Sequence, residues 1–402
     1  MAFRNAPAVW IPSLLAAWVL MLAGTDAATA QEKPDPVRRA LAEKATFDFS
    51  ETPLNEVLDF VKDKHKVVLF ADKQSFESEG LDTATPVTFK IDGISLDSAL
   101  HLMFDPLGLT FVPRYEGLMV TMKTKAEEML ERKVYGIRDL TAPPGTAIGD
   151  EDDSYAADKL IDLITATVAP ASWQPAGGRG SAKSIKGMLV VAQTYEIHRE
   201  IDALLSQLRA IRKGKGVARA EDPRDRLLAS KVALEFNEVP LREVIQTLSE
   251  RLKTPIVLNA KDFEDEGIDT ATPVTVNLKD VTLRSGLGLI LGPLSAIVVK
   301  RHEVLVVTTP IAAEQWMERR IYDVRDLARR DAPQDADQKQ DPVSDIIATT
   351  VAPNTWSSQG GKGVVKIVDG ALVILQTAEQ HQQIEDLLAE LRKVRKDQVE
   401  NR

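Results

Sequence analysis

The densest group of chemically useful side chains is an acidic segment that occurs twice in the chain. Its members are Phe76, Glu77, Glu79 and Asp82 in one place and Phe263, Glu264, Glu266 and Asp269 in the other. Carboxylates this close together offer the oxygen ligands of Ca²⁺, but Ca²⁺ takes about six to eight oxygens and the spacing is not that of an EF-hand loop. No metal site is therefore predicted. Two interpretations stay open: a loop that binds a protein partner, or a solvent-exposed turn in which Asp82 and the threonines after it cap the chain.

Two tryptophans stand in matching contexts and are candidate interface anchors. Trp173 and Trp356 each follow a Val-Ala-Pro segment and precede a glycine-rich stretch, residues 177–180 or 360–363. A half-exposed tryptophan anchors a protein interface well, whereas a buried one closes over the first helix of its own module. The glycine stretches lack the Gly-Lys-Ser/Thr sequence of a phosphate-binding loop, so they are predicted to be flexible surface loops.

Catalytic chemistry finds little support in the remaining residues. His198 and His381 each have an acid four positions later, which predicts an ordinary surface pair on a helix. The chain has no cysteine and no nucleophile-elbow, zinc-protease or dinucleotide motif. We therefore expect no catalytic residue, no cofactor and no enzyme activity. An envelope hydrolase with a site assembled across the chain is the least favoured alternative.

The N-terminal segment 1–30 resembles a secretory signal peptide. Arg4 gives a positive start, residues 10–24 are apolar, and Ala28–Ala30 are small residues suited to cleavage before Gln31. The apolar run of about 15 residues is shorter than the roughly 20 that cross a membrane, which disfavours an uncleaved anchor. The sequence thus predicts an exported, periplasmic protein without a membrane span after cleavage. A net charge of -10 argues against nucleic-acid binding.

The chain after this signal is a tandem duplication. Glu51 recurs at Glu238 and Trp173 recurs at Trp356, each within a matching stretch of sequence. The offset between the copies is constant up to Leu327 and is slightly shorter beyond it, which indicates a surface loop of variable length. This loop divides each copy into an A module and a B module. Residues 214–221, rich in glycine and charge, are predicted to link the copies.

Apolar periodicity gives each module a short order of strands and helices. Module A alternates over 45–51, has helical spacing after Pro53, and continues as βαββαββ to Met122. Module B starts with a strand at Val134 and follows the order βαββα, ending in a long amphipathic helix. The predicted fold class is α+β, as four small domains.

The A modules resemble a known family through a specific set of residues. Phe49, Pro53-Leu54, Glu56-Val57, Val87-Thr88, Leu96, Ala99-Leu100 and Gly108-Leu109 look like the STN domain of secretins and some TonB-dependent receptors. The B modules are similar to the KH-like ring-building domain that follows it in secretins. The second copy departs from the motif, with Gly286 and Ser295 in place of Ala99 and Gly108, which puts the packing of its second helix in question.

The resemblance implies the following domains: a signal peptide (1–30), STN-like (35–133), secretin N-domain-like (134–213), linker (214–221), STN-like (222–320) and secretin N-domain-like (321–397). The sequence offers no stretch for the pore domain of a secretin. The resemblance therefore implies a non-enzymatic protein-interaction or assembly module of the cell envelope, whose partners are envelope proteins, a second copy of itself included. The alternative is a ligand-binding or sensor subunit with a pocket between modules A and B.

Overall fold

The computed structural model describes residues 36–142, 153–214, 222–327, 342–368 and 370–400. The predicted signal peptide and most of the predicted linker lie outside these ranges. Within them the chain forms several small sheets covered by helices, which confirms the α+β class.

The first A module contains ten elements. They are α1 (Pro36–Ala42), β1 (Lys44–Pro53), α2 (Leu54–His65), β2 (Leu69–Ala71), α3 (Lys73–Ser78), β3 (Pro86–Ser95), α4 (Leu96–Phe104), β4 (Leu109–Arg114), β5 (Gly117–Met122) and α5 (Lys123–Ala126).

The first B module follows directly. Its elements are β6 (Glu131–Gly136), α6 (Arg138–Thr141), α7 (Asp153–Thr167), β7 (Ser181–Ile185), β8 (Met188–Gln193) and α8 (Tyr195–Arg212).

The second copy has the same elements in the same order, without a counterpart of α6 among its described residues. Its A module contains α9 (Pro223–Ala229), β9 (Lys231–Pro240), α10 (Leu241–Leu252), β10 (Ile256–Leu258), α11 (Ala260–Asp265), β11 (Pro273–Thr282), α12 (Leu283–Leu291), β12 (Ile297–Arg301), β13 (Val304–Thr308) and α13 (Pro310–Ala313). Its B module contains β14 (Glu318–Asp323), α14 (Pro342–Thr350), β15 (Val364–Val368), β16 (Ala371–Gln376) and α15 (Ala378–Glu400).

The helix boundaries follow from local chemistry. Ser95 begins α4 as an N-cap, since its side chain accepts a hydrogen bond from the backbone N–H of Ser98. Thr282 caps α12 in the same way through Ser285. Helix α2 ends at His65, because the next residue, Lys66, has a left-handed φ of 50° and cannot continue a right-handed helix.

Each A module has two small sheets and each B module has one. In the first copy β1 pairs with β3, while β2, β5 and β4 form a second sheet in which β2 is parallel to β5. The B sheet has the order β6-β8-β7 and is antiparallel throughout. The second copy repeats these pairings.

The apolar cores join the copies module to module. Val304 and Val306 of the second A module belong to the buried core of the first A module. Ile321, Ala371 and Val373 of the second B module likewise belong to the core of the first B module. The two A modules thus contact each other, and so do the two B modules. Each surface that is buried between the copies therefore has an equivalent in the other copy, with which it can be compared residue by residue.

Candidate interaction surfaces

The contact between the B modules places a sheet against a pair of helices. Alternate residues of β14, β15 and β16 point away from their own module and form its outer sheet face: Arg319, Ile321, Lys366, Val368, Ala371 and Val373. This face packs on α7 and α8 of the first B module.

Two cations fix the position of this contact. Arg319 donates to a carboxylate oxygen of Glu200 at 3.0 Å and to the backbone carbonyl of Glu200 at 3.0 Å, and its side chain is only 10% exposed. Lys366 donates to Asp162 at 2.7 Å. The face that receives them, the helix face, lies on α7 and α8. Asp162, Thr167 and Glu200 accept hydrogen bonds from the two cations, and Leu163 and Leu204 share an apolar core with the sheet face.

The same outer sheet face of the first copy is uncovered. Its equivalent residues are Arg132, Val134, Lys183, Ile185, Met188 and Val190, which share one face by strand register. Val134 is 61% exposed, whereas its counterpart Ile321 is 8% exposed. Met188 is 42% exposed and its counterpart Ala371 only 1%. The difference lies in what covers the face, because the strands themselves pair identically.

The helix face shows the opposite asymmetry. Leu163 of α7 is 1% exposed, whereas the equivalent Ile346 of α14 is 36% exposed. Thr167 is buried and its counterpart Thr350 is exposed. The helix face is therefore covered in the first copy and open in the second.

Between the A modules, the hairpin turn of the second copy contacts helix α4 of the first. Glu303 accepts from the Ser95 N–H at 3.3 Å, the Ser98 hydroxyl at 3.2 Å and the Lys44 ammonium at 3.0 Å. Arg301 pairs with Asp105 at 2.8 Å. Again the second copy supplies strands and the first copy supplies a helix.

Two histidines stack inside this A-module contact. The rings of His101 and His302 lie 4.8 Å apart at an interplanar angle of 14°. Burial lowers the pKa of His302 to about 3, with Arg301 and His101 adding to the effect. Burial also lowers the pKa of His101, against the opposing field of Asp97 and Asp105. Both rings are neutral at neutral pH, which lets them stack without charge repulsion.

The acidic segments are partly helical, and some of their side chains are buried. Phe76 and Phe263 are buried, and the residues around them form the short helices α3 and α11. Glu79 accepts from the Thr124 hydroxyl at 3.1 Å, and Glu266 accepts from Thr309.

The remaining acids of these segments lie at the surface or cap the chain. Glu77 and Glu264 are exposed, while Asp82 accepts from the Ala84 N–H at 3.0 Å and Asp269 from the Ala271 N–H at 2.8 Å. In the described part of the chain, no group of three or more acids and histidines is placed to hold a metal ion.

Both tryptophans lie inside their own modules. The Trp173 indole is buried and donates to the carbonyl of Val168 at 2.7 Å, and Trp356 donates to Val351 at the same distance. A direct role for either indole in binding a partner stays a prediction.

The glycine stretches beside the tryptophans are packed turns and not flexible loops. Gly178 donates to the carbonyl of Trp173 at 3.0 Å, and Gly180 donates to Ser172 at 2.8 Å. A side chain at Gly178 would meet the Ser172 backbone at 2.1 Å. The prediction of flexibility was wrong because close packing of backbone on backbone, as well as freedom, selects glycine.

The prediction of surface pairs at His198 and His381 was also wrong. Both rings are completely buried. His198 contacts the Tyr135 hydroxyl at 2.7 Å and the Glu131 carbonyl at 3.0 Å, and burial lowers its pKa. His381 makes the same two contacts with Tyr322 and Glu318, each at 2.8 Å. The four-residue spacing to an acid predicted the wrong partner, because the strand that packs on the helix supplies a tyrosine hydroxyl and a backbone carbonyl to each histidine.

A cleft of about 670 Å³ lies between the second A and B modules, where the ligand-binding alternative requires a pocket. Six charged residues line it: Lys300, Arg301 and Glu318 are paired with Asp225, Asp105 and Arg320 respectively, and Glu314, Lys362 and Glu379 complete the set. A larger cleft of about 1040 Å³ separates the A modules. The ligand-binding alternative stays a prediction.

The uncovered sheet face of the first B module is the site that sequence reasoning missed. The signal for it was the uninterrupted apolar run from Met188 to Val191, since a strand covered on only one face alternates apolar and polar residues.

Among the described residues, no helix is both long and apolar enough to cross a membrane.

Comparison with known proteins gives only a slight likeness. No family model matches the chain, and no curated protein matches it. A solved structure named XcpQN012 matches with 12% identity over 66% of this chain and 91% of that one, at a TM-score of 0.17. The N-terminal domain of the secretin XcpQ from Pseudomonas aeruginosa has 12% identity over 66% and 90%, at 0.15.

A third match comes from the GspC–GspD complex of the type II secretion system of enterotoxigenic Escherichia coli. It has 11% identity over 42% of this chain and 99% of that one, at a TM-score of 0.16.

Proposed function

We propose that this chain is an exported, non-enzymatic protein-interaction module of the cell envelope, and that the outer sheet face of its first B module is a docking surface. The observation that carries the proposal is the difference in cover between the two equivalent sheet faces. Within the chain, this face of the second copy binds a protein surface. In the first copy the same face exposes Val134, Ile185 and Met188.

The exposed residues have the composition of a protein contact. Met188 and Val190 lie on the middle strand of this face, Val134 and Ile185 lie on the two outer strands, and Arg132 and Lys183 occupy further positions of the outer strands. An apolar centre with a polar edge is typical of protein interfaces. The signal-like segment 1–30 supports a place outside the cytoplasm.

Site-specific photocrosslinking in intact cells tests the proposal. A photoreactive residue at position 134 or 185 should give a discrete protein adduct, because the docked partner lies within reach. The same group at Lys62, exposed on α2 away from this face, is the matched control. Adducts at position 134 no stronger than those at position 62 would contradict the proposal.

A further inference from the structure

We infer that the partner of this docking surface is a second copy of the chain, which joins head to tail by repeating the contact already made between its own B modules. The inference rests on the proposed function and names its partner. The intrachain contact is heterologous: it uses the sheet face of one copy and the helix face of the other. A contact of this kind leaves one of each face unmatched, and the unmatched faces fit each other on neighbouring molecules.

Both unmatched faces are present and open. The first copy exposes Val134 where Ile321 is buried in the contact, and the second copy exposes Ile346 where Leu163 is buried. If the sheet face of one chain packed on the helix face of the next, each chain would remove apolar surface from water at both faces.

The polar groups that position the intrachain contact are largely kept at the free faces. Lys366 pairs with Asp162, and their equivalents are Lys183 and Asp345. Arg319 contacts Glu200, and their equivalents are Arg132 and Gln383. Gln383 replaces a carboxylate by an amide, whose oxygen still accepts a hydrogen bond from arginine.

The A modules repeat only part of their contact in such a joint. Glu116 and Ser285 correspond to Glu303 and Ser98, so both the acid and the serine hydroxyl that donates to it are retained. Asp105 and His101, however, correspond to Gly292 and Gly288, which removes an ion pair and the ring stack. The joint between chains is therefore weaker than the joint within a chain, and the B modules carry most of it.

Two exposed residues on opposite faces test the inference. Val134→Glu disables the sheet face and Ile346→Glu disables the helix face. Neither residue is buried within the chain, so both variants should keep the unfolding temperature of the original protein. In sedimentation velocity over a concentration series, the original chain should associate, and each variant alone should show at least a ~10-fold weaker association.

Mixing the two variants is the decisive step. The intact sheet face of the Ile346→Glu chain fits the intact helix face of the Val134→Glu chain, so the mixture should form a 1:1 dimer and nothing longer. A two-fold contact of sheet face on sheet face would instead let the Ile346→Glu chain dimerise by itself and would leave the Val134→Glu chain monomeric in the mixture. An original chain that stays monomeric throughout overturns the inference, as does a Val134→Glu chain that assembles normally. Photocrosslinks at position 134 to a different protein would also overturn it while leaving the proposed function standing.

Discussion

At the scale of single residues, the stacked pair His101 and His302 makes the contact between the A modules sensitive to pH. The rings face Asp97, Asp105, Arg199, Arg301 and Lys123, so two acids oppose three cations around them. Burial, Arg301 and Lys123 hold His302 neutral in the folded chain, whereas an unfolded histidine has a pKa of about 6.5. Protonation therefore favours the unfolded or separated state.

The expected pH window follows from the sign of this shift. Stability due to the pair is fully present above about pH 6.5 and is lost as the pH falls toward about 3, the folded pKa of His302. Between pH 7 and pH 5 we expect a loss of about 2 kcal/mol from His302 alone. Denaturant unfolding at both pH values measures it.

The double variant His101→Gln/His302→Gln is the control for this loss. It should lose less stability over the same interval, because the stacked histidines are absent. A smaller loss should remain, because His198, whose pKa is also lowered, titrates in both proteins. Asp105 has a lowered pKa and stays charged throughout the window. Equal pH dependence in the two proteins would show that the pair does not titrate as described.

At the scale of elements, the turn between α7 and β7 fixes the position of Trp173. Gly178 and Gly180 bring the chain back against Ser172, and Gln193 closes the turn by donating to the Ser172 hydroxyl at 2.7 Å. The second copy builds the same turn from Gly361, Gly363 and Gln376. The turn therefore belongs to the core of the B module.

Gly178→Ala should destabilise the first B module strongly. Its new methyl would lie 2.1 Å from the Ser172 carbonyl carbon, and backbone cannot move aside as a side chain can. We expect a loss of ~2 to 4 kcal/mol in the free energy of unfolding. Gly136→Ala is the matched control, since nothing lies within 4 Å of an added methyl there. A small effect at both positions would mean that the turn is open.

Most of these elements could be predicted from the sequence, and the contacts between modules could not. The strands and helices from Phe47 to Ile211 follow apolar periods that act over a few residues. Short helices such as α3 were not predicted, because so short a helix shows no apolar period in the sequence. The outer sheet face was not predicted, because its cover in the second copy comes from residues more than a hundred positions earlier, such as Glu200, which accepts hydrogen bonds from Arg319.

At the scale of the whole molecule, Arg319 and Arg132 form a natural pair for measuring the joint between copies. Arg319→Ala removes hydrogen bonds to Glu200 at an almost buried position and should lower the free energy of unfolding by about 1 to 3 kcal/mol. Arg132→Ala, at the equivalent exposed position, should change it by less than about 0.5 kcal/mol.

Unfolding should be followed at low protein concentration, so that association between chains does not contribute. Comparable losses for Arg319→Ala and Arg132→Ala would mean that both arginines act within their own modules. Heating curves for Arg319→Ala should also broaden, because a weaker joint lets the two copies unfold less cooperatively.

The pairing of Lys366 with Asp162, 204 positions apart along the chain, also bears on how the protein is made. The first copy is synthesised and emerges before the strands that cover its helix face exist. During that interval Leu163 and Thr167 stay exposed to solvent, and the sheet face of a neighbouring finished chain can bind over them. Crowded synthesis or rapid refolding should therefore favour exchanged joints between chains, and slow dilution from denaturant should favour joints that close within one chain.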